Sequence, residues 1–293
     1  MSGVRCLFKT SRYLPNGRIC RISTTARKDL FFEGDAKSGY GKKFKFSKAS
    51  VIDGFHELKK EFGVFKSELR ELWESDPMIA CPPGYENKIW KFETPQELDQ
   101  WVTTSDSDHS QGFSKCKFTL NPSGHALFSG TLSTDVPKDG QIKRAGYCAI
   151  RTLRASKSFK RDSYWDWTGF SHLVIRCRGD GRSYMLNLYT MGYYDQLWND
   201  VYHYPLYTRG GPYWQTTRIP FSKFFFASKG TIQDLQSPIS LDSISHFGIT
   251  ASDRYSGNFQ LEIDYIATTF DPSTQYETFA YEHYKLPKGI AST

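Results

Sequence analysis

The chain predicts a mainly β protein, an antiparallel jelly-roll β-sandwich with an N-terminal helical extension. Three observations carry this. Between residues 172 and 266, the pieces HLVIRCRGDGRSYMLNLYT, YWQTTRIPFSKF, SHFGIT and GNFQLEIDYIA alternate apolar and polar residues. Gly, Pro, Asp or Asn stand between them, the pattern of half-buried strands joined by turns. Aromatic residues make up 16% of the chain, and Phe, Tyr and Trp suit a pleated, half-buried surface. The length of 293 residues accommodates one large all-β domain plus appended segments. No catalytic group sits on the alternation, which points to a binding or scaffolding module.

The first 28 residues contain Arg5, Lys9, Arg12, Arg18, Arg21, Arg27 and Lys28 and no acid. Ser and Thr are frequent, and no apolar core follows the charges as in a secretory signal. Val4, Leu7, Phe8 and Leu14 share one helical face, with Arg5, Lys9 and Arg12 off it. This predicts a mitochondrial transit peptide over 1–28, cleaved near Ser23 to Lys28. The net charge of +7 lies wholly in this segment, because the remaining 31 basic residues match the 31 acidic ones. The body is neutral, so no nucleic acid partner is expected. Cys6 and Cys20 fall in the presequence, and Cys81, Cys116, Cys148 and Cys177 are far apart with no CxxC pair. In a reducing matrix they read as packed thiols.

Residues 29–84 read as a linker followed by an amphipathic helix. Gly34, Gly39 and Gly41 break the linker, and Lys42, Lys43, Lys45 and Lys48 form a small basic run. That run is a solvated face or a weak contact for an anionic membrane surface. From 48 to 74, Val51, Phe55, Leu58, Phe62, Phe65, Leu69 and Leu72 recur at spacings of four and three, with charged residues on the other faces. Gly63 weakens this helix by about 1 kcal/mol relative to Ala, and Pro77 ends it. Two readings stand. The stripe packs on the protein's own sheet, or it docks a partner through Phe55, Phe62, Phe65 and Leu69.

Pro82, Pro83 and Gly84 open the sandwich domain, assigned to 85–285, with a tail at 286–293. IWKFE at 89–93 reads as a first strand. Thr94-Pro95-Gln96-Glu97 is a capping box that starts a short helix running to about Trp101. The loop at 105–112 carries Asp106, Asp108 and His109, and reads as a solvated turn more than a metal site. About eight strands follow from 113, in FSKCKFTL, HALFSGTLS, AGYCAIRTL, HLVIRCR, RSYMLNLYT, WQTTRIPF, SHFGIT and FQLEIDYIATTF. Gly179-Asp180-Gly181 reads as a hairpin turn. Beyond Asp271, Tyr276, Phe279, Tyr281 and Tyr284 are expected to cover the sandwich edge.

The chemistry-bearing motifs are absent. No P-loop, GxGxxG fingerprint, paired-histidine metal motif or Gly-x-Ser-x-Gly elbow occurs. Glu262 and Asp264 share one face of a strand, which reads as its wet face more than a glycosidase pair. No enzyme activity, cofactor or metal is expected. The strongest surface candidate is aromatic. Tyr202, Tyr204 and Trp214 follow the two-residue alternation of a filled core. Tyr193, Tyr194 and Trp198 sit in the loop-like GYYDQLWND, where flat rings with a polar handle suit sugar stacking or a protein hot spot.

At these residues the chain resembles the complex I intermediate-associated protein 30 family. The resemblance is carried by Phe128-Ser129-Gly130-Thr131-Leu132-Ser133, Ala145-Gly146 with Arg151-Thr152, and Arg176-Cys177-Arg178-Gly179-Asp180-Gly181-Arg182-Ser183-Tyr184. Trp214 with Ile219-Pro220-Phe221-Ser222 and Leu261-Glu262-Ile263-Asp264-Tyr265-Ile266 complete it. Lys143-Arg144 departs from the glycines of many relatives. The resemblance implies a jelly roll similar to galactose-binding and carbohydrate-binding modules, and a mitochondrial matrix protein peripheral to the inner membrane. It implies an assembly chaperone for respiratory complex I, the NADH:ubiquinone oxidoreductase. The implied client is the early membrane-arm intermediate containing the ND2 subunit. The implied partners are an acyl-CoA dehydrogenase relative and the adaptor called evolutionarily conserved signalling intermediate in Toll pathways. No catalytic residue is carried over. A lectin-like module, binding a glycan or sugar-like ligand through Tyr193, Tyr194, Trp198 and Asp195, is the alternative.

Overall fold

The computed structural model describes residues 48–74, 82–138, 140, 142, 144–191, 200–228 and 230–274. The expected transit peptide, the linker with its lysines, Cys6, Cys20, Cys81, and the tyrosine-rich tail beyond 274 lie outside the described residues.

Helix α1 (Lys48–Glu74) comes first and has the expected bounds. The sandwich then opens with β1 (Glu86–Lys91), α2 (Pro95–Leu98), β2 (Trp101–Ser105), β3 (Lys115–Leu120), β4 (Ala126–Leu132) and β5 (Cys148–Thr152). A small ribbon, β6 (Ser156–Lys157) and β7 (Arg161–Asp162), precedes β8 (His172–Gly179), β9 (Ser183–Thr190), β10 (Asp200–Tyr207) and β11 (Gln215–Pro220). The chain continues through β12 (Phe225–Ser228), β13 (Thr231–Ile232), β14 (Ile244–Ala251) and β15 (Gly257–Thr269).

Among the described residues, all strands but the separate β6–β7 ribbon form two antiparallel sheets. In the first the order is β11-β8-β15-β4-β3, with β1 also on β15. In the second it is β13-β12-β10-β9-β14-β5-β2. The long β15 serves two partners on one edge. Its residues 257–263 pair with β4 and residues 265–269 with β1, while the opposite edge pairs with β8 through a register shift between Ile263 and Tyr265. All eight strands anticipated from 113 onward form. β2, β10, β12, β13 and the β6–β7 ribbon are additions.

The two inner faces make one core. Phe128, Ile175, Leu261 and Ile263 of the first sheet meet Ile150, Leu186, Leu188, Phe247 and Ile249 of the second. At one end Trp90 contacts Trp101, Trp165 and Phe247, with ring centroids 5.2–5.6 Å apart. The first two pairs meet edge to face and the third is stacked, and such aromatic pairs add about 0.5–1.5 kcal/mol each beyond area burial. Cys148 and Cys177 are buried and Cys116 half-buried, all as free thiols. Burial alone pushes the Cys177 thiol up to about 12.

Three local expectations need correction. The helix after the capping box stops at Leu98, because Trp101 enters the core and begins β2, opposite Thr152 on β5. The Glu97 carboxylate does accept the Glu93 and Thr94 amides at 2.7 and 3.1 Å. The loop at 105–112 is not a solvated turn. Asp106 is fully buried and accepts the Ser114 amide and hydroxyl and the Gly146 amide at 2.8–3.0 Å. It ties three loop segments together, as a buried carboxylate with several donors can.

The third correction concerns Gly179-Asp180-Gly181, which is no hairpin. β8 and β9 belong to different sheets, so the turn is a corner between layers. A side chain at Gly179 would overlap Thr208. Gly181 takes φ +93, and its amide donates to the Thr208 hydroxyl at 3.2 Å. Asp180 accepts the Tyr184 hydroxyl and the Gln260 amide. The Asp-Gly signal for a turn was sound, but strand pairing, which local chemistry does not encode, decides between hairpin and corner.

Candidate functional site

Among the described residues, helix α1 meets the sandwich chiefly at the turn between β6 and β7. Phe159 adopts φ +58 there, an uncommon conformation for a large side chain. The turn exposes two backbone donors to the helix. Glu68 accepts the Ser158 amide at 2.5 Å and the Ser158 hydroxyl at 3.0 Å, and pairs with Arg161. Those contacts hold its carboxyl below the usual range, the Ser158 amide being the main cause. Two turns earlier Glu61 accepts the Phe159 amide at 2.6 Å. Between these acids, Phe62 and Phe65 face the Phe159 ring at centroid distances of 5.3 and 5.9 Å.

The clip is thus polar at its ends and aromatic in the middle, and it leaves most of the stripe uncovered. Phe55 is 69% exposed, Phe62 57% and Leu69 51%. Leu58 is exposed as well, and Phe65 is half-buried. Among the described residues, the contacts of the stripe are with the β6–β7 turn. Of the sequence-selected residues, Phe55, Phe62, Phe65 and Leu69 therefore lie together on one accessible helix face. Tyr193, Tyr194 and Trp198 lie outside the described residues, between β9 and β10.

A second surface covers the outer face of the first sheet. Arg178 pairs with Glu262 at 2.5 Å, Arg176 with Asp264 at 3.2 Å, and Arg218 with Glu86 at 3.1 Å. Glu86 also accepts the Tyr265 hydroxyl, and His125 lies 3.5 Å from Asp264. Trp214 covers this ladder, 5.2 Å from the Arg178 guanidinium, 5.7 Å from that of Arg176 and 4.8 Å from the His125 ring. Such cation–π contacts are worth about 0.5–2 kcal/mol.

Two expectations change on this face. Glu262 is buried and ion-paired, not on a wet face, because Arg178 folds over it. Trp214 is half-buried on the outside rather than filling the core, since it precedes β11 and turns over the neighbouring β8. Tyr202 is buried and Tyr204 packs against the core, as the alternation predicts. A shallow cleft of about 300 Å³ beside the ladder is lined by Arg178, Asp180, Pro212, Gln260 and Glu262. In it Arg178 pairs with Glu262, and Asp180 lies 4.0 Å from Arg182. Among the described residues no group of three or more His, Cys, Asp or Glu could hold a metal ion. No described helix is long and apolar enough to cross a membrane.

Residues 90–263 match the family model described as complex I intermediate-associated protein 30. A Drosophila melanogaster protein named complex I intermediate-associated protein 30, mitochondrial, is 47% identical over 277 residues, covering 93% of each chain. The Mus musculus protein of that name is 42% identical over 196 residues, or 67% of this chain and 59% of its own length. Among solved structures, the chain is similar to a family 11 carbohydrate-binding module from Clostridium thermocellum. The TM-score is 0.41 at 18% identity, over 64% of this chain and 96% of that one.

Proposed function

The chain belongs to the complex I intermediate-associated protein 30 family, and on that membership we propose that it is a mitochondrial assembly chaperone for respiratory complex I. Its client is the early membrane-arm intermediate containing the ND2 subunit, and its partners are other assembly factors, the acyl-CoA dehydrogenase relative and the Toll-pathway adaptor. It works in the matrix, peripherally at the inner membrane, after residues 1–28 direct import. Residues 29–84 serve as a linker and docking helix, 85–285 as the sandwich body and 286–293 as a tail. No catalytic step belongs to this reading.

The observation that carries it is the uncovered stripe of α1. Three aromatic or aliphatic side chains more than half exposed on one helix face, Phe55, Phe62 and Leu69, are an unusual cost for an isolated protein in water. The same face suits the groove-and-helix mode of protein recognition, with anchors at i, i+3, i+4 and i+7. The polar clip holds the helix in place without using up that face. Native-gel fractionation of mitochondria with cross-linking mass spectrometry tests this. The expected result is cross-links from Lys59 and Lys66 of α1 to complex I membrane-arm subunits or their assembly factors. Co-migration with no complex I component would overturn the function, and cross-links confined to the sandwich would overturn the role of α1.

A further inference from the structure

Two thiols from opposite sheets meet inside one edge of the sandwich, and the assembly reading does not use them. Burial alternates along β3, with Lys115, Lys117 and Thr119 exposed and Cys116, Phe118 and Leu120 half-buried between them. Cys116, Phe118 and Leu120 stand opposite Gly130, Phe128 and Ala126 on β4, and Phe128 and Ala126 belong to the core. Residues directly opposite in a pair share a face, so Cys116 projects from the inner face of the first sheet. On β5, Cys148 and Ile150 are fully buried while Arg151 between Ile150 and Thr152 is exposed. Cys148 therefore projects from the inner face of the second sheet.

The two strands adjoin. β3 is the edge strand of the first sheet, and β2 is the edge strand of the second, with β5 beside it. β3 and β5 approach within 8 Å, Cα to Cα. The Cys116 Sγ lies 3.7 Å from the Thr104 carbonyl oxygen, and Thr104 and Ser105 on β2 stand opposite Ala149 and Cys148. The Cys116 sulfur is thus set beside the β2–β5 rung that carries Cys148, where the two thiols share a hydrogen bond. Cys116 packs against the same buried cluster to which Cys148 belongs. A disulfide joins Cα atoms about 4.4–6.8 Å apart, and disulfides between the two sheets occur in β-sandwiches.

The pair is asymmetric. Cys116 is half-buried at the edge, whereas Cys148 is wholly buried. The hydrogen bond to Cys116 is the main cause that pushes the Cys148 thiol up, and burial and the charges of Asp106 and Asp108 add to it. Cys148 accordingly keeps its proton and points it at the Cys116 sulfur. Once that sulfur is tied up in a disulfide it no longer draws the proton, and the main cause falls away. An accessible attacking thiol beside a buried resolving one is the arrangement that thiol–disulfide exchange requires.

We propose that Cys116 and Cys148 form a reversible disulfide between the sheets by exchange with a small disulfide of the glutathione type. The Cys116 sulfur, having lost its proton to solvent, attacks one sulfur of glutathione disulfide. A mixed disulfide forms at Cys116, and one glutathione leaves as thiolate and takes up a proton. Cys148 then gives its proton to solvent, and its sulfur attacks the Cys116 Sγ. The mixed disulfide breaks and the second glutathione leaves in the same way. Two protein thiols are oxidised, and one glutathione disulfide is reduced to two glutathione molecules. The site is independent of the α1 face and of the assembly role.

Equilibration of the full chain in glutathione buffers, from fully reduced to fully oxidised, tests this when followed by acid quenching, alkylation and peptide mass mapping. The expected result is the loss of two hydrogens, mapped to a bond between Cys116 and Cys148 and reversed by excess reduced glutathione. Cys148→Ala removes the resolving sulfur and should hold one glutathione on Cys116. Cys116→Ser should leave Cys148 as a free thiol in every buffer. Separate thiols at both positions across the whole series, or a bond that forms only with a stronger oxidant such as diamide, would overturn the proposal. So would a Cys116 joined to a different cysteine, or a Cys148→Ala chain that carries no glutathione at Cys116.

Discussion

Phe128 on β4 and Phe62 on α1 are the same side chain in opposite surroundings. Phe128 is wholly buried between the sheets and packs on Phe259 at a centroid distance of 4.9 Å. Phe62 touches Phe159 and leaves more than half its surface to solvent. The strands need no help from the helix, because each sheet supplies the other's apolar partner. What α1 receives from the sandwich is chiefly two acid-to-backbone contacts and Arg161. An apolar stripe held by a polar clip keeps its exposure to solvent, whereas an apolar stripe used for folding does not.

This contrast can be broken by substitution. Phe247→Ala, in the cluster with Trp90 and Trp101, is expected to cost about 3–5 kcal/mol in urea unfolding, through lost transfer energy and the cavity left behind. An equal loss from Phe62→Ala would erase the distinction and make α1 part of the core.

Acid sharpens it from the sandwich side. His203 and His246 titrate near 4 in the folded protein against an ordinary 6.5. The unfolded chain therefore takes up protons first. Their contribution is fully present above pH 6.5 and is lost as pH falls towards 4. The expected decline is on the order of a few kcal/mol for the pair, since both rings keep some exposure. Melting temperature followed from pH 7 to pH 4 reads it, and the His203→Gln/His246→Gln double variant should show a flatter slope over that interval. A slope equal to that of the unaltered protein would assign the acid sensitivity elsewhere.

The smallest expected effect on stability is at the stripe itself. Leu69→Ser should change unfolding by less than about 0.5 kcal/mol, as for an exposed position, while reducing recovery of complex I assembly intermediates with the protein. A marked fall in stability would mean that α1 is folded against something the sandwich supplies.

The alternation in HLVIRCR and SYMLNLYT and the four-three spacing in α1 were legible because they are written within a few residues. β10 was harder to see, since Tyr202 and Tyr204 sit among other aromatics and Pro205 interrupts the propensity. β2 was masked by a capping box whose helix signal runs up to Trp101. Of the candidate surfaces, the stripe on α1 was fully visible in the sequence. The charge ladder on the first sheet was not, for its pairs join 178 to 262, 176 to 264 and 218 to 86, and only strand register puts them side by side.

By itself the sequence determined the periods of the strands and of α1, the turn positions, the neutral body and the family resemblance, because each depends on neighbouring residues or on composition. Only the tertiary structure decided which strands share a sheet, and hence that Gly179-Asp180-Gly181 turns between layers. It also decided that Glu262 is buried under Arg178, 84 positions away in the chain, that Trp214 faces outward, and that the stripe of α1 stays uncovered. The physical reason is the same in each case. Periodicity assigns a side chain to one face or the other, but whether that face meets water, a charge or another sheet depends on partners brought from far along the chain.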